Sequence, residues 1–426
     1  MLTASVALRL WLATRQLRHV VRHRHAVPAD FAATIPLAAH QKAADYTVAK
    51  LRLGLIDLAL STALTLGWTV LGGLSALDQA LRAVLGGGLT QQLALVACFA
   101  GISALIDLPL SWVQTFGLEA RFGFNKTTPR LWLSDQIKGA LVASVLGLPL
   151  LTLVLWLMAS GSLWWLWAWC AWMGFNGLIL VLYPTLIAPL FNRFQPLGDA
   201  ALVARVQTLL QRCGFSAQGI YVMDGSRRSA HANAYFTGFG AAKRVVFFDT
   251  LLQRLTPGEV DAVLAHELGH FKHRHVLRRV AWLAVTSLVA LALLDYLSQQ
   301  SWFYLGLGVV PRPEGENQAL ALLLFGLTWP LVAAFVSPLM AQLSRRHEFE
   351  ADAFAVAQTS ADDLASALLK LYEDNAATLT PDPLYVQFYY SHPSASERLA
   401  RIRRLAPTPP ASAPDASMQR TPTPCH

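Results

Sequence analysis

Long apolar stretches separated by short polar segments dominate the pattern along this chain. Six stretches are long enough to cross a hydrocarbon core of about 30 Å, and they cover residues 51–77, 92–113, 139–160, 163–191, 277–298 and 318–341. A shorter stretch at 2–13 carries Arg9 and is interpreted as a shortened first span, an interfacial helix or the remnant of a misassigned start. No small-residue cleavage site follows it, so it does not have the pattern of a signal peptide. The pattern predicts a mainly α-helical, multi-pass membrane bundle.

One polar insert between the apolar stretches has the pattern of a small α+β unit. Residues 199–213 show helical periodicity, 219–223 and 244–248 are short β-rich runs, and 231–238 alternates less clearly. The last residues are rich in Pro, Ser and Thr and are predicted to be disordered. The predicted divisions are N-terminal membrane helices and loops (1–194), the soluble insert (195–275), a transmembrane hairpin (276–341), a C-terminal helical part (342–405) and the tail (406–426).

Lys and Arg alternate between the loops in a way that predicts the orientation. Basic residues are frequent in the segment 15–52 and again in the loop at 121–138. In contrast, the loop at 78–91 has Arg82 as its only basic residue, the turn near Gly161 is uncharged, and the loop at 299–317 has Arg312 as its only basic residue against two Glu. Short basic loops stay on the cytoplasmic side of a membrane. Residues 14–50, 114–138, 192–276 and 342–426 are therefore predicted to be cytoplasmic.

Composition supports the membrane interpretation and narrows the partners. Hydrophobic residues make up 54% of the chain and charged residues only 14%, which leaves too little polar surface for a soluble globule. The formal charge is +8, but the basic residues flank apolar segments and do not form a polar face with aromatic residues. We therefore expect the protein to contact a lipid bilayer and not to bind nucleic acid. The four Cys show no metal-site or disulfide spacing.

An HExxH motif at 266–270 carries the candidate chemistry. His266 and His270 are four residues apart and therefore lie on one helical face, as two ligands of a zinc ion do. Glu267 is placed to act as a general base toward the attacking water. Thr256 and Glu259 predict a capping box at the start of this helix. The alternative is a polar patch on an amphipathic helix beside the membrane.

A catalytic zinc ion needs a third protein ligand. The spacing HExxHxxGxxH fails, because position 273 is His and position 276 is Val. His273 and His275 are instead interpreted as interfacial residues at the membrane edge. Glu348 and Asp352 are four residues apart, which places a carboxylate ligand one turn before an acid that can orient a ligating histidine.

Two predicted spans separate Glu348 from the HExxH motif, so both lie on the same side of the membrane. Two alternatives stay open. Glu348 pairs with Arg345 or Arg346 on a solvated face, or a neighbour, His347 or Glu350, is the ligand instead.

These motifs resemble those of the integral-membrane type I CAAX prenyl endopeptidases, which are zinc proteases of the gluzincin type. The resemblance runs in order through RQLRHVVRHRHAVPADF (15–31), AHQKAADYTVAK (39–50), GFNKTTPRLWLSDQIKG (123–139), SRRSAHANAYFTGFG (226–240), AHELGH (265–270), SRRHEFEADAFA (344–355) and SHPSASERL (391–399). It implies about seven transmembrane helices that enclose a chamber, with a small α+β zinc-peptidase region on the cytoplasmic side.

The resemblance also implies roles for individual residues. It assigns one zinc ion to His266, His270 and Glu348 and general-base duty to Glu267. It places Asn233 on an edge strand where substrate pairs, and it makes His392 and Arg398 face the active site. Without it, Asn233 is also typical of a turn and His392 of a loop before a helix. His392 is expected to donate a hydrogen bond to the oxyanion, and Arg398 to be a positively charged partner of the substrate or of another part of the protein. Asp352 is expected to orient a zinc-binding histidine.

The sequence therefore predicts an integral-membrane zinc metalloendopeptidase. Its substrate is a peptide or protein, either a C-terminal tail of the CAAX kind or a membrane protein subject to quality control, and the active-site residues do not separate these. A non-catalytic scaffold or transporter is the alternative from another class. Arg-rich, Lys-poor usage favours a bacterial inner membrane, with the site facing the cytoplasm.

Overall fold

A computed structural model describes residues 1–237, 243–313 and 315–406, and most of them are helical. The helices, in chain order α1 to α16, are Leu2–Arg22, Leu37–Trp68, Gly73–Leu85, Leu89–Trp112, Pro129–Met158, Trp164–Leu182, Ala188–Phe191, Ala200–Arg212, Asp249–Leu252, Pro257–Lys272, His275–Ser298, Ser301–Leu305, Gln318–Gln358, Ala361–Asp374, Pro383–Tyr389 and Ala395–Leu405. Short π-helical stretches, Val113–Glu119 and Tyr183–Ile187, extend α4 and α6. The tail predicted to be disordered lies outside the described residues, except for Ala406.

Six helices of the described chain are long and apolar enough to cross a membrane, and each overlaps one of the six predicted apolar stretches. They are Leu37–Trp68, Leu89–Glu119, Pro129–Met158, Trp164–Phe191, His275–Ser298 and Gln318–Gln358. The stretch predicted at 51–77 is too long, because its helix ends at Trp68 and a separate helix begins at Gly73. Large apolar side chains such as Ile137, Trp156 and Val289 are exposed on their outer faces, as expected for surfaces that contact lipid. The predicted fold class, a mainly α-helical membrane bundle, is confirmed.

The first apolar stretch forms a complete helix. α1 has 21 residues, which corresponds to about 31 Å at 1.5 Å per residue. Its arginines make it too polar to count among the six apolar helices, and two of them contact other elements: Arg9 donates to the carbonyl of Pro330, and Arg15 pairs with Asp382. The buried Gln16 accepts a hydrogen bond from the Asp382 backbone at 2.6 Å. α1 is thus tied to the C-terminal part of the chain.

The small sheet forms where the sequence predicts β-rich runs. Its strands are β1 Phe194–Pro196, β2 Gly219–Met223, β3 Ala234–Thr237 and β4 Arg244–Phe248. Their order is β1-β2-β4-β3, with β2 parallel to β4 and β3 antiparallel to it. The third, less clear run therefore becomes β3, an outer strand of the described sheet.

The sheet and α10 share one hydrophobic core. Phe247 of β4 and Leu264 and Leu268 of α10 are fully buried, and side chains of α8, α14 and α16 complete the cluster. α13 also packs along α10, and it runs unbroken through the predicted boundary between residues 341 and 342. The membrane helix and the third-ligand segment are therefore one continuous helix.

A second core and a charged cluster close the opposite end of the membrane bundle. Trp68, Leu95 and Leu324 are buried there. Beside them Arg312 pairs with Asp78, and Asp78 also accepts from Gln91 at 2.8 Å. The buried Asp78 carboxylate is thus paired with the half-buried Arg312, so packing and this ion pair both hold this end.

Candidate metal centre

The helix that carries the HExxH motif begins at a complete capping box. The Thr256 backbone donates to Glu259 at 2.7 Å, and the Glu259 backbone donates to the Thr256 hydroxyl at 3.4 Å. Ser366 and Lys370 of α14 also donate to the Glu259 carboxylate, at 2.6 and 2.7 Å. The capping prediction is confirmed. The start of α10 is fixed, and with it the face on which His266 and the second histidine lie.

Three residues with potential ligand atoms converge between α10 and α13. His266 Nε2 lies 3.2 Å from His270 Nε2 and 3.4 Å from Glu348 Oε2, and His270 Nε2 lies 3.5 Å from Glu348 Oε1. Ligands of a tetrahedral zinc ion lie about 3.3 Å apart when each is about 2.0 Å from the metal. Glu348 is buried, and its Oε2 accepts no hydrogen bond from the described residues. The donor set and its spacing fit one zinc ion.

A fully buried carboxylate lies behind the first histidine. His266 Nδ1 donates to Asp352 Oδ1 at 2.9 Å, which leaves Nε2 free to face the other ligands. Arg398 binds both Asp352 oxygens, at 2.6 and 2.9 Å, so the predicted active-site arginine is committed to this carboxylate. Burial alone would lower the pKa of His266, but the hydrogen-bonded Asp352 carboxylate and the nearby Glu348 carboxylate outweigh it and raise that pKa to about 9.

The second histidine has a different environment. Burial and the neighbouring His266 lower the pKa of His270 to about 3, so His270 is neutral near pH 7. Its Nδ1 lies 2.9 Å from the Nδ1 of His275. The prediction that His275 is an interfacial residue is wrong: only 1% of it is exposed, because a turn at Arg274 folds it back beneath His270.

Glu267 is beside the three ligand atoms and faces a cavity of about 520 Å³, which is lined also by His266, Glu348, His392 and Asn233. Burial raises the pKa of Glu267 above its usual value. A carboxylate with a raised pKa, next to a metal site, is suited to accept a proton from water.

The structure brings the remaining predicted residues to the same cavity. His392 Nε2 lies 3.5 Å from Glu348 Oε1, and the His392 side chain is 61% exposed. Asn233 immediately precedes β3. Its carbonyl accepts from the Phe248 backbone at 3.0 Å, and its side chain accepts from the Ala234 backbone at 2.8 Å.

The two alternative ligands point to other partners. Glu350 accepts from His275 Nε2 at 2.8 Å. His347 stacks on the His275 ring with centroids 4.0 Å apart. Arg345, one of the candidate ion-pair partners of Glu348, donates to the Val386 carbonyl at 2.8 Å. Neither His347 nor Glu350 joins the trio of converging atoms.

A second cavity continues from the first along the membrane helices. It measures about 740 Å³, and Tyr46, Lys50, Asn375, His392 and Arg398 line both cavities. Tyrosines of α15 and apolar residues of α2 form its farther wall. An extended peptide that reaches the three ligands therefore has space on the membrane side.

Both halves of the chain match family models. Residues 16–193 match the model described as CAAX prenyl protease N-terminal, five membrane helices. Residues 196–406 match peptidase family M48, whose members are zinc-dependent.

Individual relatives align over most of the chain. CAAX prenyl protease 1 of Saccharomyces cerevisiae is 34% identical over 327 residues, which cover 73% of this chain and 72% of that protein. A CAAX prenyl protease 1 homolog of Arabidopsis thaliana is 37% identical over 306 residues, 70% of each chain. The crystal structure of S. mikatae Ste24p matches with a TM-score of 0.88 at 30% identity, and the match covers 94% of this chain and 97% of that one.

Proposed function

This chain belongs to the membrane CAAX prenyl proteases of peptidase family M48, and we propose that His266, His270 and Glu348 hold the single zinc ion with which it hydrolyses peptide bonds. The observation that carries this proposal is the convergence of these three side chains: the two histidine Nε2 atoms lie 3.2 Å apart, His266 Nε2 lies 3.4 Å from Glu348 Oε2, and His270 Nε2 lies 3.5 Å from Glu348 Oε1. Glu267 lines the same cavity as His266 and Glu348.

Bound zinc supplies Lewis acidity, which polarises the scissile carbonyl and acidifies water. Glu267 accepts the proton of the attacking water and returns a proton to the leaving amine. His392 donates a hydrogen bond to the oxyanion that develops on the carbonyl. A preorganised donor of this kind typically contributes about 3 kcal/mol. Asp352 holds the orientation of His266, and Arg398 holds Asp352.

The outer edge of β3, which pairs with no other strand in the described part of the chain, aligns the substrate. Asn233 directs its carbonyl toward β4, so in an antiparallel pair the next residue, Ala234, directs its backbone groups outward. The outward N–H of Ala234 donates a hydrogen bond to the Asn233 side chain, and a substrate carbonyl can replace that side chain as the acceptor. Pairing of this kind depends only on the main chain of the substrate, and it places the scissile bond in an extended segment.

We propose that the site faces the cytoplasm, because the basic loops lie on its side of the bundle. The substrate class we favour is a C-terminal tail that enters the two joined cavities, with membrane proteins in quality control as the alternative. The two named relatives and the solved structure come from eukaryotes, so they lend no support to the bacterial inner membrane that residue usage predicts.

The variant Glu267→Gln tests the proposal. We expect it to bind zinc like the wild type and to lose activity by about 10²-fold to 10⁴-fold, as is usual when a general base is removed. Purified protein in detergent is assayed against a prenylated CAAX peptide, the same peptide without the prenyl group, and a misfolded membrane protein. Full activity in the zinc-loaded variant would contradict the mechanism, and exclusive cleavage of the misfolded protein would contradict the favoured substrate class.

A further inference from the structure

A chain of hydrogen bonds lies behind the second zinc-binding histidine. His270 Nδ1 is 2.9 Å from His275 Nδ1, and His275 Nε2 is 2.8 Å from Glu350 Oε2. His275 is almost completely buried, whereas the Glu350 side chain is 41% exposed. The chain therefore connects the metal site to the surface.

With both imidazoles neutral and Glu350 ionised, one arrangement of protons satisfies both contacts. His270 Nε2 faces the other ligands, so a neutral His270 carries its proton on Nδ1 and donates it toward His275. The Nδ1 of His275 must then accept, which places the His275 proton on Nε2, where it is donated to Glu350. Each contact receives one hydrogen and one lone pair, and the same tautomer of His270 leaves Nε2 free for a metal.

The surroundings hold the His275 ring in this position. The ring of His347 stacks on it with centroids 4.0 Å apart and an interplanar angle of 14°. Arg278 donates to Glu350 at 3.2 Å and fixes the carboxylate. Arg274, in the left-handed region at φ 56°, makes the tight turn that brings His275 back toward α10.

We propose that His275 and Glu350 are positioning residues that hold His270 in its metal-binding tautomer and orientation. This proposal rests on the zinc-ligand role of His270. The two ligating histidines then have unlike supports: His266 donates directly to the buried carboxylate of Asp352, whereas His270 donates to a neutral imidazole with a carboxylate one step away. Partners of this kind typically change metal affinity or activity by about 10-fold to 100-fold when they are removed.

Variants at position 275 separate the hydrogen bond from the packing. In His275→Asn the amide oxygen lies near the former Nδ1 and can accept from His270, whereas in His275→Gln the amide lies farther out, near the former Nε2. His275→Leu accepts at neither place. The matched control is His273→Asn, because His273 lies in the same turn and makes no hydrogen bond with the described side chains.

Zinc affinity is measured by competition with a chelator, and the ligand field by the absorption spectrum of the cobalt-substituted protein. We expect His275→Leu to weaken zinc binding about 10-fold to 100-fold and to change the cobalt spectrum. We expect His275→Asn to stay within about three-fold of the wild type, His275→Gln to be weaker than Asn, and His273→Asn to be unchanged.

Two outcomes overturn the inference. One is that His275→Leu binds zinc with wild-type affinity, and the other is that folded His275→Asn is as impaired as the Gln variant. Folding is checked by the thermal unfolding of each zinc-free variant in detergent; if the Leu variant does not fold, the Asn and Gln variants decide. His270→Ala distinguishes this failure from that of the proposed function: undiminished zinc binding there would remove the ligand assignment itself.

Discussion

Gly269 of the HExxH helix lies directly against Ala351 of the third-ligand helix. A β-carbon on Gly269 would come 2.9 Å from the Cα of Ala351 and 3.2 Å from its carbonyl oxygen. Since backbone cannot move aside as a flexible side chain can, the two helices approach this closely only because position 269 has no side chain. This contact sets the distance between the HExxH histidines and Glu348.

We expect Gly269→Ala to separate these helices and weaken zinc binding by about ten-fold, with a loss of stability of about 1–3 kcal/mol from overpacking. Chelator competition and thermal unfolding measure the two effects. The control is Gly326→Ala on the same helix as Ala351, because a β-carbon there would meet no atom within 4 Å. Equal zinc affinity in both variants would show that the close approach is not required.

Zinc binding should release about one proton from the metal-free protein near neutral pH. With a pKa raised to about 9, His266 is protonated there and must lose its proton to bind metal, whereas His270, with a pKa lowered to about 3, is already neutral. Apparent zinc affinity should therefore rise about ten-fold per pH unit up to about pH 9 and then level off.

Calorimetry of zinc binding in buffers of different ionisation enthalpy counts the released protons. In Asp352→Asn the hydrogen bond that raises the pKa of His266 is weakened, so fewer protons should be released. Affinity that does not change with pH would contradict the prediction.

The Asp352–Arg398 pair should be strongly coupled. Asp352 is fully buried and Arg398 is 8% exposed, so removal of either partner deprives a buried charge of its two-point ion pair. We expect Asp352→Leu alone to destabilise the protein by about 3–5 kcal/mol. The double variant Asp352→Leu/Arg398→Leu should lose less than the sum of the single variants, as measured by thermal unfolding in detergent. Additive losses would mean that the two charges act independently.

The contact between α1 and the C-terminal part should depend on Asp382. The Asp382 side chain accepts hydrogen bonds from Arg15 and from the backbone of Leu384 and Tyr385. It therefore pairs with α1 and at the same time caps the start of α15. We expect Asp382→Ala to destabilise the protein by about 1–2 kcal/mol through the lost cap.

The comparison variant for Asp382→Ala is Asp45→Ala, which breaks the more exposed pair with Arg24. This change should lower stability by less than about 1 kcal/mol. Thermal unfolding in detergent compares the two, and an equal effect would argue against the combined role of Asp382 in capping α15 and pairing with α1.

Local sequence patterns were sufficient to predict much of the fold and the two histidines of the metal centre, His266 and His270. Spans are predictable because lipid demands about 20 apolar residues in succession, and α10 is predictable because the capping box and the four-residue histidine spacing are both local signals. The strand β1 was not predicted, because its three residues are too few to show an alternation of apolar and polar positions.

The support of His270 could not be predicted, for a geometric reason. His275 follows His270 by five residues, a spacing that is not on one helical face, and the contact exists only because the helix ends and the chain turns at Arg274. Two residues in the sequence could have indicated this support: His275, five residues after His270, and Glu350, two residues after Glu348. The pairing of Arg398 with Asp352 is likewise set by the packing of α16 against α13 and has no local signature.

The order of the ligands along the chain has a consequence for biosynthesis. His266 and His270 precede α11 and the membrane part of α13, whereas Glu348 follows them. A nascent chain that has emerged only as far as residue 341 holds two of the three ligands that catalytic zinc needs. With the proposed ligand set, such a chain cannot complete the metal site, so peptide hydrolysis requires the part of α13 that follows the last predicted span.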